Sequence, residues 1–280
     1  MLRLVRCLSL VATFVAAVPR AGSAQPVTLR IKPRVGDTLR MRLDQESEMT
    51  GVRKMAAGGE GSAMVMTTMR MFSRAIVEGS SEQGTTVLAI TDSLITTSTD
   101  EKTRAATLQA GTRLRGQRVR FRVSPDGMVA MLQDAGPAPR EVAQVVSLMP
   151  TTFPKGAINV GESWMRDMAL PVGNGFGAQV AGRLHVTFRL DSVTRNGELA
   201  FVSMRGEMQP ATGPGAASNA VLEKGLVNGT MVVDQKRGWL AESWFSIAMN
   251  SAMSLPPSTG VTSMRMQMRI TQHMHTLDKR

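Results

Sequence analysis

The sequence predicts a mainly β chain, an antiparallel curved sheet or half-barrel of about ten strands with one short amphipathic helix. Three observations carry this. Apolar and polar residues alternate with period two along most of the chain. Turn sequences fall between the alternating runs. A single segment shows helical period instead.

Alternation is the mark of a strand with one buried and one solvated face. Leu39, Met41 and Leu43 alternate with Arg40, Arg42 and Asp44. A second extended run spans Met69 to Val77, and a third, rich in Thr, Val and Ile, spans Thr85 to Thr97. Val119, Phe121 and Val123 alternate with Arg118, Arg120 and Arg122, and the run meets Ser124-Pro125-Asp126-Gly127. That tetrapeptide has turn chemistry, so the chain should return as Met128 to Leu132 in a hairpin. Trp164 to Val172 and Leu184 to Asp191 are further strands, and Asn196-Gly197 turns the chain into Glu198 to Met208. Gly229 to Val233 and Trp239 to Met249 flank the turn Asp234 to Gly238. The last strand, Thr262 to His275, sets Met264, Met266, Met268 and Ile270 against Arg265, Gln267 and Arg269.

The helix is read at residues 139–149. Pro139 suits a first turn, Val142, Val145, Val146 and Met149 form one apolar stripe, and Pro150 stops it. Residues 52–63 and 209–220, small and polar or rich in Gly, Pro and Ala, read as mobile loops. Asn228-Gly229-Thr230 matches a glycosylation acceptor but reads better as a turn into a strand. No charge block or composition shift marks a second domain, so residues 25–280 are expected to form one antiparallel-β domain.

Residues 1–24 read as a signal peptide. Arg3 and Arg6 precede an uncharged, mostly apolar run from Cys7 to Val18, and Ala21-Gly22-Ser23-Ala24 supplies small residues for cleavage. The run has 12 residues, short of the roughly 20 that a spanning helix needs. The protein is therefore expected to be exported, periplasmic or secreted. Cleavage removes the sole cysteine, so the remaining 256 residues can form no disulfide and offer no thiolate ligand. They are enough for a large core without staples.

The precursor carries a net charge of +11, and losing Arg3, Arg6 and Arg20 leaves +8. Such a charge keeps a domain soluble, and it also suits anionic envelope lipid. Nucleic acid is not an expected partner, because stacking aromatics are scarce: the chain has 22 methionines and no tyrosine. Methionine takes core places that Leu, Ile or an aromatic would usually hold.

Two stretches echo each other. Pro33-Arg34-Val35-Gly36-Asp37-Thr38-Leu39 is matched by Pro154 followed by Val160-Gly161-Glu162-Ser163-Trp164. Either the chain holds two related β-meanders, or similar turn residues recur before strands by chance. Phe153-Pro154 leading to Val160-Gly161-Glu162-Ser163-Trp164, then Gly229-Thr230 with Asp234 and Gly238, and Phe121 and Val123 before Asp126-Gly127 and Val129, resemble an uncharacterised family of secreted bacterial β-rich proteins, a domain of unknown function. The resemblance spans most of residues 28 to 275 and implies an exported β-rich fold without assigned catalytic residues. The strand order with one helix also looks like the half-barrels of periplasmic lipoprotein carriers.

The candidate chemistries are few. His273 and His275 share one strand face, but the neighbouring methionines occupy the other, so the two sets cannot meet at one ion. Met64, Met66, Met69 and Met71 could add thioethers, yet core filling explains them better, and no metal or other cofactor is expected. Gly161-Glu162-Ser163-Trp164-Met165 begins like a nucleophile elbow but lacks the second glycine. Asp44, Glu46 and Glu48 read as a solvated face of mixed charge rather than a carboxylate pair or Ca²⁺ site. Arg113, Arg115, Arg118, Arg120 and Arg122 crowd together. Arg118, Arg120 and Arg122 are the candidate contacts for an anionic headgroup, or they shield an outer strand from aggregation.

These readings point to a non-enzymatic exported domain that binds an apolar or amphiphilic ligand or docks to envelope lipid, in a groove walled by methionine. A structural or protein-interaction module is the alternative, and a secreted hydrolase the second. The leader also makes a direct prediction. N-terminal sequencing of protein exported by its own host should begin at Gln25, and a chain still starting at Met1 would remove the export reading.

Overall fold

The computed structural model describes residues 26–132, 153–170, 182–210, 220–254 and 261–277. It contains β1 (Thr38–Met55), β2 (Glu60–Ser81), β3 (Gly84–Ser98), α1 (Glu101–Leu114), β4 (Arg118–Val123), β5 (Val129–Met131), β6 (Ser163–Leu170), β7 (Gly182–Val193), β8 (Leu199–Pro210), β9 (Ala220–Asp234), β10 (Trp239–Ser254) and β11 (Val261–Leu277). The eleven strands form one antiparallel sheet in the order β5-β4-β3-β2-β1-β11-β10-β9-β8-β7-β6. The sheet is curved and does not close. The first and last strands lie side by side at its centre, paired from Arg40↔Leu277 to Met55↔Val261.

The alternation read from the sequence sorts the two faces as expected. Leu39 and Leu43 of β1, Ala75 and Val77 of β2, and Val119, Phe121 and Val123 of β4 are buried. So are Val186, Phe188 and Leu190 of β7, with Val202 and Met204 of β8 and Phe245 and Ile247 of β10. Two segments outside the strands join this core. Leu29 and Ile31 come from one, and Phe153 and Ile158 from the other. They are tied to each other by the Val27–Ile158 bridge, with N···O distances of 2.8 and 2.9 Å. They are tied to hairpin turns by Ile31 N–H to Pro125 O and Lys32 N–H to Gly238 O, both 2.9 Å. Phe153 N–H reaches Asp126 O in the same way. Backbone that would be orphaned in an apolar interior is thereby satisfied.

The echo in the sequence is an echo in geometry. Gly36 and Gly161 both take positive φ, 87° and 92°, which a side chain would resist. Gly36 N–H bonds Val77 O and Val77 N–H bonds Asp37 O, both at 2.9 Å. Gly161 N–H bonds Leu190 O at 2.7 Å and Leu190 N–H bonds Glu162 O at 3.0 Å. The acidic side chains cap the two turns alike, accepting from Arg34 N–H at 3.1 Å and Asn159 N–H at 2.8 Å. Each turn opens an antiparallel meander, β1 to β5 and β6 to β10, and the two run in the same order across the sheet. Shared bonding of this kind goes beyond a shared preference for turn residues.

Three expectations change. Residues 52–63 are not a loop: β1 runs to Met55 and β2 starts at Glu60, because pairing with β11 holds this hairpin extended. Asn228-Gly229-Thr230 lies inside β9 rather than in a turn, and a Cβ on Gly229 would meet the carbonyl oxygen of Trp244. Helix α1 was not read from the sequence, although Asp100 caps it by accepting from Thr103 N–H at 2.8 Å. The helix expected at residues 139–149 lies outside the described residues, as do the expected leader and residues 211–219 of the second expected loop.

The methionine face of β11 is graded rather than uniformly core. Met274 is buried, whereas Met264, Met266 and Met268 are half-buried. Met274→Ala should therefore cost about 2–5 kcal/mol, as for a buried methionine. Met264→Ala should cost much less. Denaturant unfolding of both variants checks this, and equal losses would mean that the whole strand is core.

Candidate functional site

Register builds a site on the face opposite the core. Cross-strand partners run Trp244↔His273↔Asp44↔Arg70↔Ile95, one file of side chains over β10, β11, β1, β2 and β3. A groove of about 530 Å³ follows this file, lined also by Glu46, Thr68 and Thr271. Its ends are apolar and open to solvent, with Ile95 57% and Trp244 36% exposed. The groove expected from the sequence was to be walled by methionine. Of the methionines only Met69 borders this one, and Met69, like Met71, Met268 and Met274, packs on the core side.

The groove's floor is electrostatically fixed. Asp44 accepts from Arg70 Nε at 2.6 Å and pairs with Arg42 Nε at 2.7 Å. Burial pushes the Asp44 carboxyl up, but the hydrogen bonds and charges of Arg42 and Arg70 outweigh it and hold the group below its ordinary range. Asp44 thus orients Arg70, which remains half exposed in the groove.

Beside the file, Glu242 of β10 meets both C-terminal histidines. His273 Nε2 lies 2.6 Å from Glu242 Oε1, His275 Nε2 lies 3.0 Å from His273 Nδ1, and His275 Nδ1 lies 3.8 Å from Glu242 Oε1. The two rings are 3.8 Å apart between centroids. Sequence showed the shared face of the histidines. It did not show Glu242, which arrives only through the pairing Glu242↔His275. These three residues offer ligand atoms within 4.8 Å of one another.

The other candidates are dispersed. Arg118, Arg120 and Arg122 project outward from β4, as alternation required, with Val119, Phe121 and Val123 buried behind them. Arg120 holds Glu78 through Nε at 2.7 Å and Nη2 at 3.2 Å, and Arg122 donates to Gln83 at 3.1 Å. Arg118 pairs with Ile90, five residues from Ile95 and hence roughly 16 Å along the strand. Arg113 and Arg115 sit at the end of α1. Met64 and Met66 face opposite Met69 and Met71 on β2, so these four cannot converge. Glu46 is exposed and Glu48 is paired across from Arg269.

Ser163 is exposed and in register with Arg189, while His185 is in register with Asp167 and bonded to it at 2.5 Å. Those rows are four residues apart, roughly 13 Å. No Ser163–His185 pair exists.

Inside the sheet, Gln272 is 2% exposed, and neither its amide oxygen nor its nitrogen has a hydrogen-bond partner. Its cross-strand partner is Gln45.

No family model matches this chain, and no curated protein matches it. Among solved structures it is similar to a TodX monoaromatic hydrocarbon channel carrying a deltaS2S3 mutation. That match has 8% identity and a TM-score of 0.26, and covers 87% of this chain and 91% of that one. It is also similar to an outer membrane channel from Pseudomonas putida F1, with 10% identity and a TM-score of 0.20, covering 92% of this chain and 100% of that one. Superpositions this poor do not define a shared fold. Among the described residues no helix is long and apolar enough to cross a membrane.

The Asp44 arrangement makes a pH prediction. Its folded pKa lies below the ordinary 3.8, so its ion pairs add stability that is complete above that value and is lost as pH falls through the lowered one. Asp44→Asn should be less stable than wild type at neutral pH, and the gap should narrow as pH falls below 3.8 toward the lowered value. Denaturant midpoints measured from pH 7 to pH 3 test this, and a gap independent of pH would contradict it.

Proposed function

We propose that this is a non-enzymatic β-domain of the cell envelope that holds a small amphiphilic ligand in the outward groove. The observation that carries the reading is the groove itself. Its volume of about 530 Å³ falls within the roughly 300–1,000 Å³ typical of ligand pockets. Five strands span it, so it is about 19 Å long at the usual strand spacing. That length suits an extended acyl or aromatic body rather than a compact polar metabolite.

The chemistry of the lining matches an amphiphile. Trp244 and Ile95 offer apolar contact at the ends, where exposed large side chains otherwise gain nothing. Arg70, aimed by Asp44, supplies a planar donor for a carboxylate or phosphate. The leader-like N-terminus and the net charge of +8 that would remain after its removal support an envelope setting with anionic lipid nearby. Arg118, Arg120 and Arg122 share the groove's face and would contact headgroups of a surrounding membrane rather than the bound ligand.

Titration with anilinonaphthalenesulfonate, an anionic amphiphile, tests the reading. Saturable emission enhancement is expected, displaced by a long-chain fatty acid. Trp244→Ala and Arg70→Ala should each weaken binding roughly tenfold, about 1.4 kcal/mol, while Met274→Leu should not. Emission that never saturates, or that is unchanged in both groove variants, would leave a protein-interaction module as the better account.

A further inference from the structure

We propose that Glu242, His273 and His275 form a binding site for a divalent transition metal, zinc being the best fit. This rests on the cluster alone and stands whether or not the groove takes an amphiphile.

The first ground is the donor set. Two imidazoles and one carboxylate are the ligands of many open zinc sites, in which solvent or substrate completes the coordination. Here each residue offers one ligand atom within 4.8 Å of the other two. Zn–N and Zn–O bonds of about 2.0–2.2 Å place tetrahedral ligands roughly 3.3 Å apart. The separations of 2.6 and 3.8 Å from Glu242 Oε1 to His273 Nε2 and His275 Nδ1 straddle that value. Small rotations of side chains that are 36–45% exposed bring them to it.

The second ground is the hydrogen bonding. A neutral imidazole has one N–H, and the network assigns it. His275 Nε2–H donates to His273 Nδ1, which obliges His273 to carry its proton on Nε2 and donate to Glu242. His275 Nδ1 is then a bare lone pair, 3.8 Å from the Glu242 carboxylate oxygen. In that tautomer these two acceptor atoms lie close together at a site open to solvent, where a cation can bridge them. A cation can take both lone pairs, and His273 joins it through Nε2 by shifting its proton to Nδ1, which gives up the hydrogen bond from His275 Nε2–H.

The third ground is the backbone. His273 and His275 alternate onto one face of β11, and Glu242 is opposite His275 on β10. All three therefore sit on two paired strands in the interior of the sheet, a rigid support of the kind metal sites need. Arg42, opposite His275 on the other side, is turned onto Asp44 at 2.7 Å, a carboxylate it shares with Arg70, and Glu242 supplies the negative charge at the cluster itself.

The alternation that turns β11's methionines to the core also settles the type of metal. A thioether-rich Cu(I) site is excluded on this strand, and a nitrogen–oxygen site remains. With three protein ligands and partial exposure, open coordination positions face the groove that His273 also lines. A bound metal would thus present a Lewis-acidic edge to whatever occupies that groove.

Full-length mature protein without a polyhistidine tag is titrated with Co²⁺ and then Zn²⁺. One equivalent of Co²⁺ should produce visible d–d bands of a four- or five-coordinate site, and Zn²⁺ should abolish them. His273→Ala and Glu242→Gln should each weaken binding by more than the roughly 10–100-fold lost with an outer-shell partner. His185→Ala, at the remaining mature histidine, should have no effect. If His273→Ala does not fold, His275→Gln decides the matter, since its amide can still donate to His273. Only the hexaaquo Co²⁺ spectrum in wild type, or equal affinity in all variants, would show a hydrogen-bonded cluster without metal.

Discussion

The pairing of β1 with β11 is the constraint on which the rest depends. It joins residues more than 200 positions apart, Arg40 to Leu277 at one end and Arg53 to Met264 near the other. On one side lies the meander β1 to β5, and on the other β11 followed by β10 to β6. Without this seam there are two separate sheets. Contacts so distant in sequence form only after a large loop-closure entropy has been met. Each meander can instead be assembled from neighbouring hairpins. The seam is accordingly the step that makes one molecule from two similar pieces, and it is also where the proposed site residues collect. Asp44 and His273 meet across it, and Glu242 reaches His273 and His275 from the next strand.

Side-chain alternation turns this seam into two different surfaces. Leu43, Met274 and Met71 occupy one file on the core side, while Arg42, His275 and Glu242 occupy another outside. A slip of one residue would move every side chain of β11 to the wrong face, burying His273 and His275 and exposing Ile270 and Met274. The cost of burying polar groups without partners makes such a register untenable. The apolar and polar sets therefore specify the pairing jointly, although neither meander needs the other to define its own hairpins.

Strand identity was legible in the sequence because period two survives along Leu39–Leu43, Val119–Val123 and Leu184–Leu190, and the structure buries those apolar positions. Turns were legible where residue chemistry demands a conformation, as at Gly36, Gly161 and Gly238, all with positive φ. Residues 52–63 were misread because small polar residues do not forbid a strand when both neighbours pair with it. Helix α1 was missed because its apolar stripe is weak. Its surviving signals are local, the Asp100 cap, Glu101 in the first turn and Arg113 in the last. The cluster of Glu242 with His273 and His275 was out of reach for a different reason. It depends on the register between two strands, and no single-strand pattern contains that information.

Gln272 shows how the seam differs from an ordinary core. Its neighbours along the same file are Gln45 on β1 and Phe245 on β10. Both amide atoms are buried without a partner, where most buried polar groups have one. Such a group costs about 1–3 kcal/mol relative to a satisfied one. The apolar core thus carries a polar defect at the junction of the two meanders, with Ile270 and Met274 on either side. Directly behind this point, on the outer face, lie Asp44 and His273. Polar residues occupy both faces of the sheet at one level of the seam. The hydrophobic stabilisation that holds the molecule together must come from the flanking files, and the seam's centre is held by backbone pairing more than by apolar packing.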